Sequence, residues 1–362
     1  MKKNLISLIL ALSLALSLIG CGGGGGTSSS SSGGTDTGSA SGNTNTSSAS
    51  GNTDAVTIKY STTFPAAGTQ ADGVNLLGEL ISEHSDGRMT LEFYPSSVLG
   101  DKIASMEGLR SGTIEMTTSA ATDLSSYSSI WSVFSLPYLW ENGDQALAVL
   151  TDPSVSEVLN ADAEANGFVI IAWNNAGSRS ILNTKHAVNS PADLNGLRIR
   201  CMEDPVLAGA INAMGANATP LAWSECYTAL QQGVIDGIEN NAPTIYDNGM
   251  AEVAKYFSLT EHFTIPDPIF VSKIWFDGLS AENQTALLKA GELYTTEYSE
   301  VIWRGAEKDI LTKMEAAGVQ INEVDKSVFV FATQTVIDTF LTNADENQSA
   351  LYELLMEVRK NY

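Results

Sequence analysis

Val56-Thr57-Ile58-Lys59-Tyr60 alternates with the period of two of a half-buried strand, and Val74, Leu77, Leu80 and Ile81 then recur at helical spacing until Asp86-Gly87 stops them. Met89, Leu91 and Phe93 alternate again, Ile103, Met106 and Leu109 mark a second helix ended by Gly112, and Ile114 to Thr118 reads as a third strand. This β-α-β-α-β run predicts right-handed crossovers in a mostly parallel sheet with helices on both faces. Ligands of such folds sit beyond the carboxyl ends of the strands.

Further along the chain the same alternation restarts. Phe168 to Trp173, Ser180-Ile181-Leu182 and Leu197 to Cys201 read as strands. Ser224 is placed to cap a helix running through Gln232, Gly233 ends it, and Val234-Ile235-Asp236 begins the next strand. From Ser280 to about Ala317 a helical pattern runs through Leu287, Leu288, Leu293, Tyr294, Tyr298, Ile302, Trp303 and Ile310, long enough to bridge two domains. The expected architecture is α/β, with two lobes, a cleft between them and a long helix spanning both, as in extracytoplasmic ligand-binding proteins.

Toward the N-terminus, Lys2 and Lys3 precede an apolar run from Leu5 to Leu18, the pattern of a secretory signal. The run closes on Leu18-Ile19-Gly20-Cys21, which resembles the bacterial lipobox, so residues 1–20 are expected to be removed and Cys21 to carry lipid. Residues 21–53 are almost wholly Gly, Ser, Thr, Asn and Ala and cannot bury a core. A chain of that kind has an end-to-end distance of roughly 30 Å and serves as a tether.

The 362 residues carry 19 Lys+Arg against 42 Asp+Glu, a formal net charge of -23. Loss of residues 1–20 removes two lysines and brings the balance to -25. Such a charge opposes nonspecific binding to nucleic acid or to an anionic membrane, so contact with the membrane is expected through the lipid anchor alone. Catalytic motifs are missing: there is no G-x-S-x-G, H-E-x-x-H or C-x-x-C, and His84, His186 and His262 are scattered. No enzyme activity, metal or cofactor is expected. His262, within Leu259-Thr260-Glu261-His262, lies near an expected crossing between lobes and is a candidate for the cleft wall. Cys201 and Cys226 are either a disulfide or two buried thiols.

Three of the seven Arg, Arg179, Arg198 and Arg200, fall within 22 residues of one another. A guanidinium fork stays charged and matches a carboxylate bidentately, so an Arg at a strand end in a cleft suits an organic anion. Arg198 and Arg200 share one face of their strand opposite Leu197, Ile199 and Cys201, and alternation alone does not choose between them.

Leu194-Asn195-Gly196-Leu197-Arg198-Ile199-Arg200, Met214-Gly215-Ala216-Asn217-Ala218-Thr219-Pro220 and the string from Ser224 to Asn240 resemble the DctP-like substrate-binding proteins of TRAP (tripartite ATP-independent periplasmic) transporters. Weaker echoes at Leu99-Gly100, Phe134 to Tyr138, Gly177-Ser178-Arg179 and Leu259 to His262 extend the resemblance over about residues 54–320. It implies a first lobe of residues 54–176 plus 266–305, and a second of 177–265 plus 306–362 that takes in the C-terminal helices. It further implies that Arg200 anchors a ligand carboxylate, that Asn240 hydrogen-bonds the same group, and that Arg179 lies at or behind the site.

Trp223 stands where the family usually has Phe beside the ligand, and is either an aromatic wall or a core residue; Trp173 is a weaker candidate for the same role. Ser119 follows the third strand, which puts its hydroxyl in the cleft or in solvent. Cys226 replaces the usual Val, Ile238 a commonly polar residue, and Asn241 a Pro common in dicarboxylate binders. Asn240, Asn241 and Pro243 with Glu261-His262 look closer to members that bind uronates or aldonates, with C4-dicarboxylates next. The resemblance implies an extracytoplasmic lipoprotein delivering an organic acid to the small and large TRAP membrane subunits. The rival readings are a sensory protein presenting an organic acid to a receptor kinase and, with less support, an anchored hydrolase.

Overall fold

The computed structural model describes residues 55–362. The lipidation site at Cys21, the signal segment and the linker expected from the sequence lie outside them. Among the described residues eleven strands form two sheets. The first contains β1 (Val56–Ser61), β2 (Met89–Tyr94), β3 (Met116–Thr118), β4 (Phe168–Asn174) and, much later in the chain, β10 (Asp267–Ser272), in the order β2-β1-β3-β10-β4. The second contains β5 (Arg179–Asn183), β6 (Arg198–Cys201), β7 (Asn217–Pro220), β8 (Gly237–Asn240), β9 (Tyr256–Phe263) and β11 (Gln320–Glu323), in the order β11-β9-β5-β8-β6-β7.

In each sheet a parallel set is joined by antiparallel strands. β1 runs parallel to β2 and β3, while β10 is antiparallel to β3 and β4. β6 runs parallel to β7 and β8, while β5 is antiparallel to β8 and β9. The carboxyl edge of each parallel set therefore also holds the N-terminal residues of its antiparallel partner: Asp267 in the first sheet and Arg179 in the second. Residues 175–178 and 264–266 carry the chain from one of these edges to the other, so the two edges meet at the crossing.

A helical segment makes the third crossing. The Ala281–Glu297 helix packs on β4 and on the Thr69–His84 helix, continues through a π turn at Tyr298–Trp303, and becomes the Arg304–Ala316 helix, which packs on the Ala242–Asp247 helix and β11. The two C-terminal helices separate. Lys326–Asn343 lies on the Pro205–Ala213 helix and β9. Glu346–Val358, expected with the second lobe, instead packs on the first, because Leu351, Leu355 and Val358 form an apolar stripe that enters the cluster around Trp131, Phe134 and Phe168.

Local chemistry sets the ends of several elements. Asp101 accepts the Ala104 N–H and caps the Lys102–Ser111 helix, and Gly112 ends it in the left-handed conformation with φ 73°. Ile114 bonds back to the Gly108 carbonyl to close that helix, which delays the third strand to Met116. Ser224 is not a cap: it sits inside a 3₁₀ turn, Trp223–Glu225, and the helix begins at Cys226. Val234 to Asp236 precede β8, which begins at Gly237.

Gly291 allows the Ala281–Glu297 helix to approach β4. A Cβ at this position would lie 1.9 Å from the Ile171 carbonyl oxygen. Gly291→Ala should therefore destabilise the protein by about 1–3 kcal/mol through overpacking, despite Ala's better helix propensity. Differential scanning calorimetry should show a melting point lower by roughly 2–10 °C, and an unchanged or raised melting point would contradict this packing.

Candidate functional site

The carboxyl edge of the second sheet gathers Arg200 at the end of β6, Asn240 at the end of β8 and Arg179 at the start of β5; Ser180 lies opposite Asn240 in the ladder. The structure separates the two arginines that alternation could not. Arg198 is exposed and clasps Asp236 through Nε and Nη2 at 2.9 and 3.1 Å, with a third bond to the Gly233 carbonyl. That pairing, helped by Lys185, holds the Asp236 carboxyl well below the usual range. Arg198 is a surface ion pair.

Arg200 is 4% exposed. Its Nε donates to the Leu221 carbonyl at 2.8 Å, and its guanidinium carbon lies 5.5 Å from the centroid of the Trp223 ring. No carboxylate of the described residues forms an ion pair with it, and its four terminal N–H groups make no hydrogen bond among them. Burying a cation costs several kcal/mol unless it is paired, and a cation–π contact of about 0.5–2 kcal/mol offsets only part of that. The arrangement suits an anion supplied from outside the chain.

Behind it lies a closed ion pair. Arg179, 8% exposed, donates from Nε to Glu239 Oε2 at 2.6 Å and from Nη2 to Oε1 at 2.8 Å and to the Glu239 carbonyl at 3.1 Å; Glu239 is 1% exposed. Burial works against the Arg179 charge, but the Glu239 carboxylate outweighs it and moves the pKa above its ordinary value. Arg179 is thus spent on Glu239 and Glu239 on Arg179.

The remaining expected residues divide. Asn240 is buried, and its Oδ1 accepts the Asn241 N–H at 2.9 Å, leaving the Nδ2 amide without a partner among the described residues. Asn241 is the N-cap of the Ala242–Asp247 helix, its Oδ1 accepting the Thr244 N–H at 2.8 Å. Trp223 flanks Arg200 and anchors its Nε1 on Asn248. Ser119 is buried rather than solvent-exposed, and its hydroxyl is spent on Asp123 at 2.6 Å.

Trp173 belongs to the core of the first lobe and does not join Arg200. It lines a cavity of about 580 Å³ with Thr295, Ser299 and Arg304, and none of the second-sheet candidates touches that cavity. Charge and hydrogen-bonding capacity, not cavity size, therefore locate the site. His262, expected on the cleft wall, is wholly buried: Nδ1 meets Thr260 Oγ1 at 2.8 Å and Nε2 has no partner. Cys201 and Cys226 are free buried thiols, with pKa values pushed up to about 12 and about 11 by burial. Among the described residues no group of His, Cys, Asp and Glu could hold a metal, and no helix is long and apolar enough to cross a membrane.

Residues 60–343 match the family model for bacterial extracellular solute-binding protein, family 7. The chain belongs to this family. A solute-binding protein of Chromohalobacter salexigens is 34% identical over 275 residues, covering 76% of this chain and 81% of its own. The crystal structure of a TRAP periplasmic solute-binding protein from the same species with bound D-glucuronate superposes with a TM-score of 0.78 at 29% identity, over 84% of this chain and 100% of that one. A TRAP periplasmic solute-binding protein from Sulfitobacter with bound β-D-galacturonate gives a TM-score of 0.78 at 29% identity, over 83% of this chain and 99% of that one. The two sheets joined by crossing segments are thus the two lobes of a TRAP solute-binding protein.

Two predictions concern the buried charges of this solute-binding protein. Glu239→Ala leaves Arg179 uncompensated and should cost about 3–5 kcal/mol in urea unfolding; a loss below 1 kcal/mol would show that the pair is not closed in solution. Burial lowers the His262 pKa from 6.5 to about 4, with Glu239 opposing and Arg179 reinforcing the shift. The folded state thus resists a proton that the unfolded state accepts: the contribution is complete above pH 6.5 and is lost as the pH falls toward 4. At the lower end the loss is about 3 kcal/mol, and His262→Gln should flatten stability against pH in that window.

Proposed function

We propose that this protein is a lipid-anchored extracytoplasmic receptor that closes on a carboxylated sugar, a uronate in the first instance, and delivers it to the membrane subunits of a TRAP transporter without chemical turnover. The observation that carries this reading is the buried Arg200 guanidinium with no carboxylate of its own. A ligand carboxylate would accept two parallel N–H bonds from the fork, and the unpartnered Nδ2 of Asn240 on the neighbouring strand would supply another. The Trp223 indole beside the guanidinium offers a flat apolar face to a sugar ring. The glucuronate and galacturonate bound by the two similar proteins support the same ligand class. Anchoring through Cys21 and hand-over to a permease are the role such a receptor would fill at the membrane.

The test is a thermal-shift and calorimetric titration of the folded body with D-glucuronate. Ligand at 100 times its dissociation constant adds about 2.7 kcal/mol, or roughly 5–10 °C. Arg200→Ala should weaken binding by about 30-fold to several thousand-fold, the equivalent of 2–5 kcal/mol. The unliganded variant should melt within a few degrees of the parent, since no internal ion pair is broken. Undiminished affinity in Arg200→Ala would refute the anchor.

A further inference from the structure

The cleft has a second wall, the carboxyl edge of the first sheet, and most of its polar groups are already satisfied within that lobe. The Ser119 hydroxyl donates to Asp123, which also pairs with Lys102 Nζ at 3.1 Å. Asn174 Nδ2 donates to Thr118 Oγ1 and its Oδ1 accepts from the Tyr294 hydroxyl. Asp267 is the exception. It opens β10 directly after the 264–266 crossing and lies opposite Asn174 in the ladder. Its carboxylate forms no hydrogen bond or ion pair with any described residue; its backbone carbonyl, by contrast, accepts from Asn174. The side chain is only partly buried, and it feels Arg179 of the other lobe as well as Lys102 and Asp123 of its own. Burial, with Asp123 acting in the same sense, holds this carboxyl above its ordinary pKa against the pull of Lys102 and Arg179. Two further hydroxyls next to this edge, Thr62 just after β1 and Thr122 just after β3, are buried without partners.

We infer that Asp267 sets the ligand class: its carboxylate accepts hydroxyl groups at the end of the ligand away from Arg200, and it excludes a second carboxylate there. This rests on the reading of Arg200 as the carboxylate anchor. A carboxylate acceptor with no internal donor is matched by a polyol, whose O–H groups donate to it with charge-assisted strength. A dicarboxylate would set two anions against each other in a low-dielectric cleft, which is discrimination by repulsion as well as by attraction. The two walls are thus chemically opposite, with a cation lacking an anion on one and an acceptor lacking a donor on the other. The matching molecule is a hydroxylated monocarboxylate.

The experiment is isothermal titration of D-glucuronate and of succinate into the parent protein, Asp267→Asn, Asp267→Ala and Arg200→Ala, with the unliganded melting point as the control for folding. The parent should bind glucuronate at least 100-fold more tightly than succinate. Asp267→Asn, which keeps the shape and removes the charge, should lose 10-fold or more toward glucuronate and narrow the gap to succinate; Asp267→Ala should lose more. A parent that prefers succinate, or an Asp267→Asn variant with both affinities unchanged, overturns the inference. Arg200→Ala separates the two readings. Loss of both ligands there with no effect at Asp267 leaves the anchor standing and removes Asp267, whereas retained binding in Arg200→Ala removes the anchor whatever Asp267 does.

Discussion

Arg200 carries a positive charge at the inner edge of a sheet, out of water and without a counter-charge among the described residues, in a strongly acidic chain. The surrounding structure is organised to keep it that way. Asp236, one strand over, is held by Arg198 and Lys185. Glu239, the carboxylate of the adjoining strand, is held bidentately by Arg179. The fixed partners left to Arg200 are a backbone carbonyl and an indole face, neither of which neutralises it. Buried ion pairs add little net stability, and the Arg179–Glu239 clasp leaves neither the guanidinium nor the carboxylate without its counter-charge on the face of the sheet opposite Arg200.

The same logic bears on how so acidic a protein would accommodate the proposed anion. At long range the net charge repels it; at short range, in a cleft with low-dielectric walls, the potential is set by the nearest fixed charges. Such a receptor gains little from electrostatic steering and depends on contacts made after entry, which places its selectivity in dissociation more than in association.

What the sequence disclosed follows from the range of the interactions involved. The β-α-β-α-β opening is local and periodic, and Ile58, Leu77, Met89 and Leu109 lie in the core as their spacing requires. Arg198 and Arg200 share a strand face, so periodicity could not separate them; the choice is made by Asp236, 36 residues or more away in the chain. Asn241 and Ser119 were legible as polar residues near a strand end, but whether such a side chain faces a ligand or ties down its own backbone depends on a cap and a turn formed only in the folded chain. His262 lies on a strand that looks amphipathic yet is covered by the Arg179 and Tyr138 segments. Asp267 stands between Pro266 and Pro268 with no periodic or motif signal of its own, and only the return of β10 into the first sheet gives it a wall to stand on.

The π turn at Tyr298–Trp303 has a geometric consequence for how one rod serves two cores. An α-helix advances about 100° per residue, so the extra residue held in a π turn offsets every later side chain by about that angle. Leu287, Ala290, Tyr294 and, at the two ends of the turn, Tyr298 and Trp303 enter the first core, with the step from Tyr298 to Trp303 spanning five residues instead of four; beyond the turn Ile310 and Met314 enter the second. The turn acts as a phase shifter between the lobes. Removing a single residue there would leave an unbroken helix of better hydrogen-bond geometry whose second half presents the wrong azimuth, so the insertion is bound to the two-lobed plan as closely as any residue of the binding cleft.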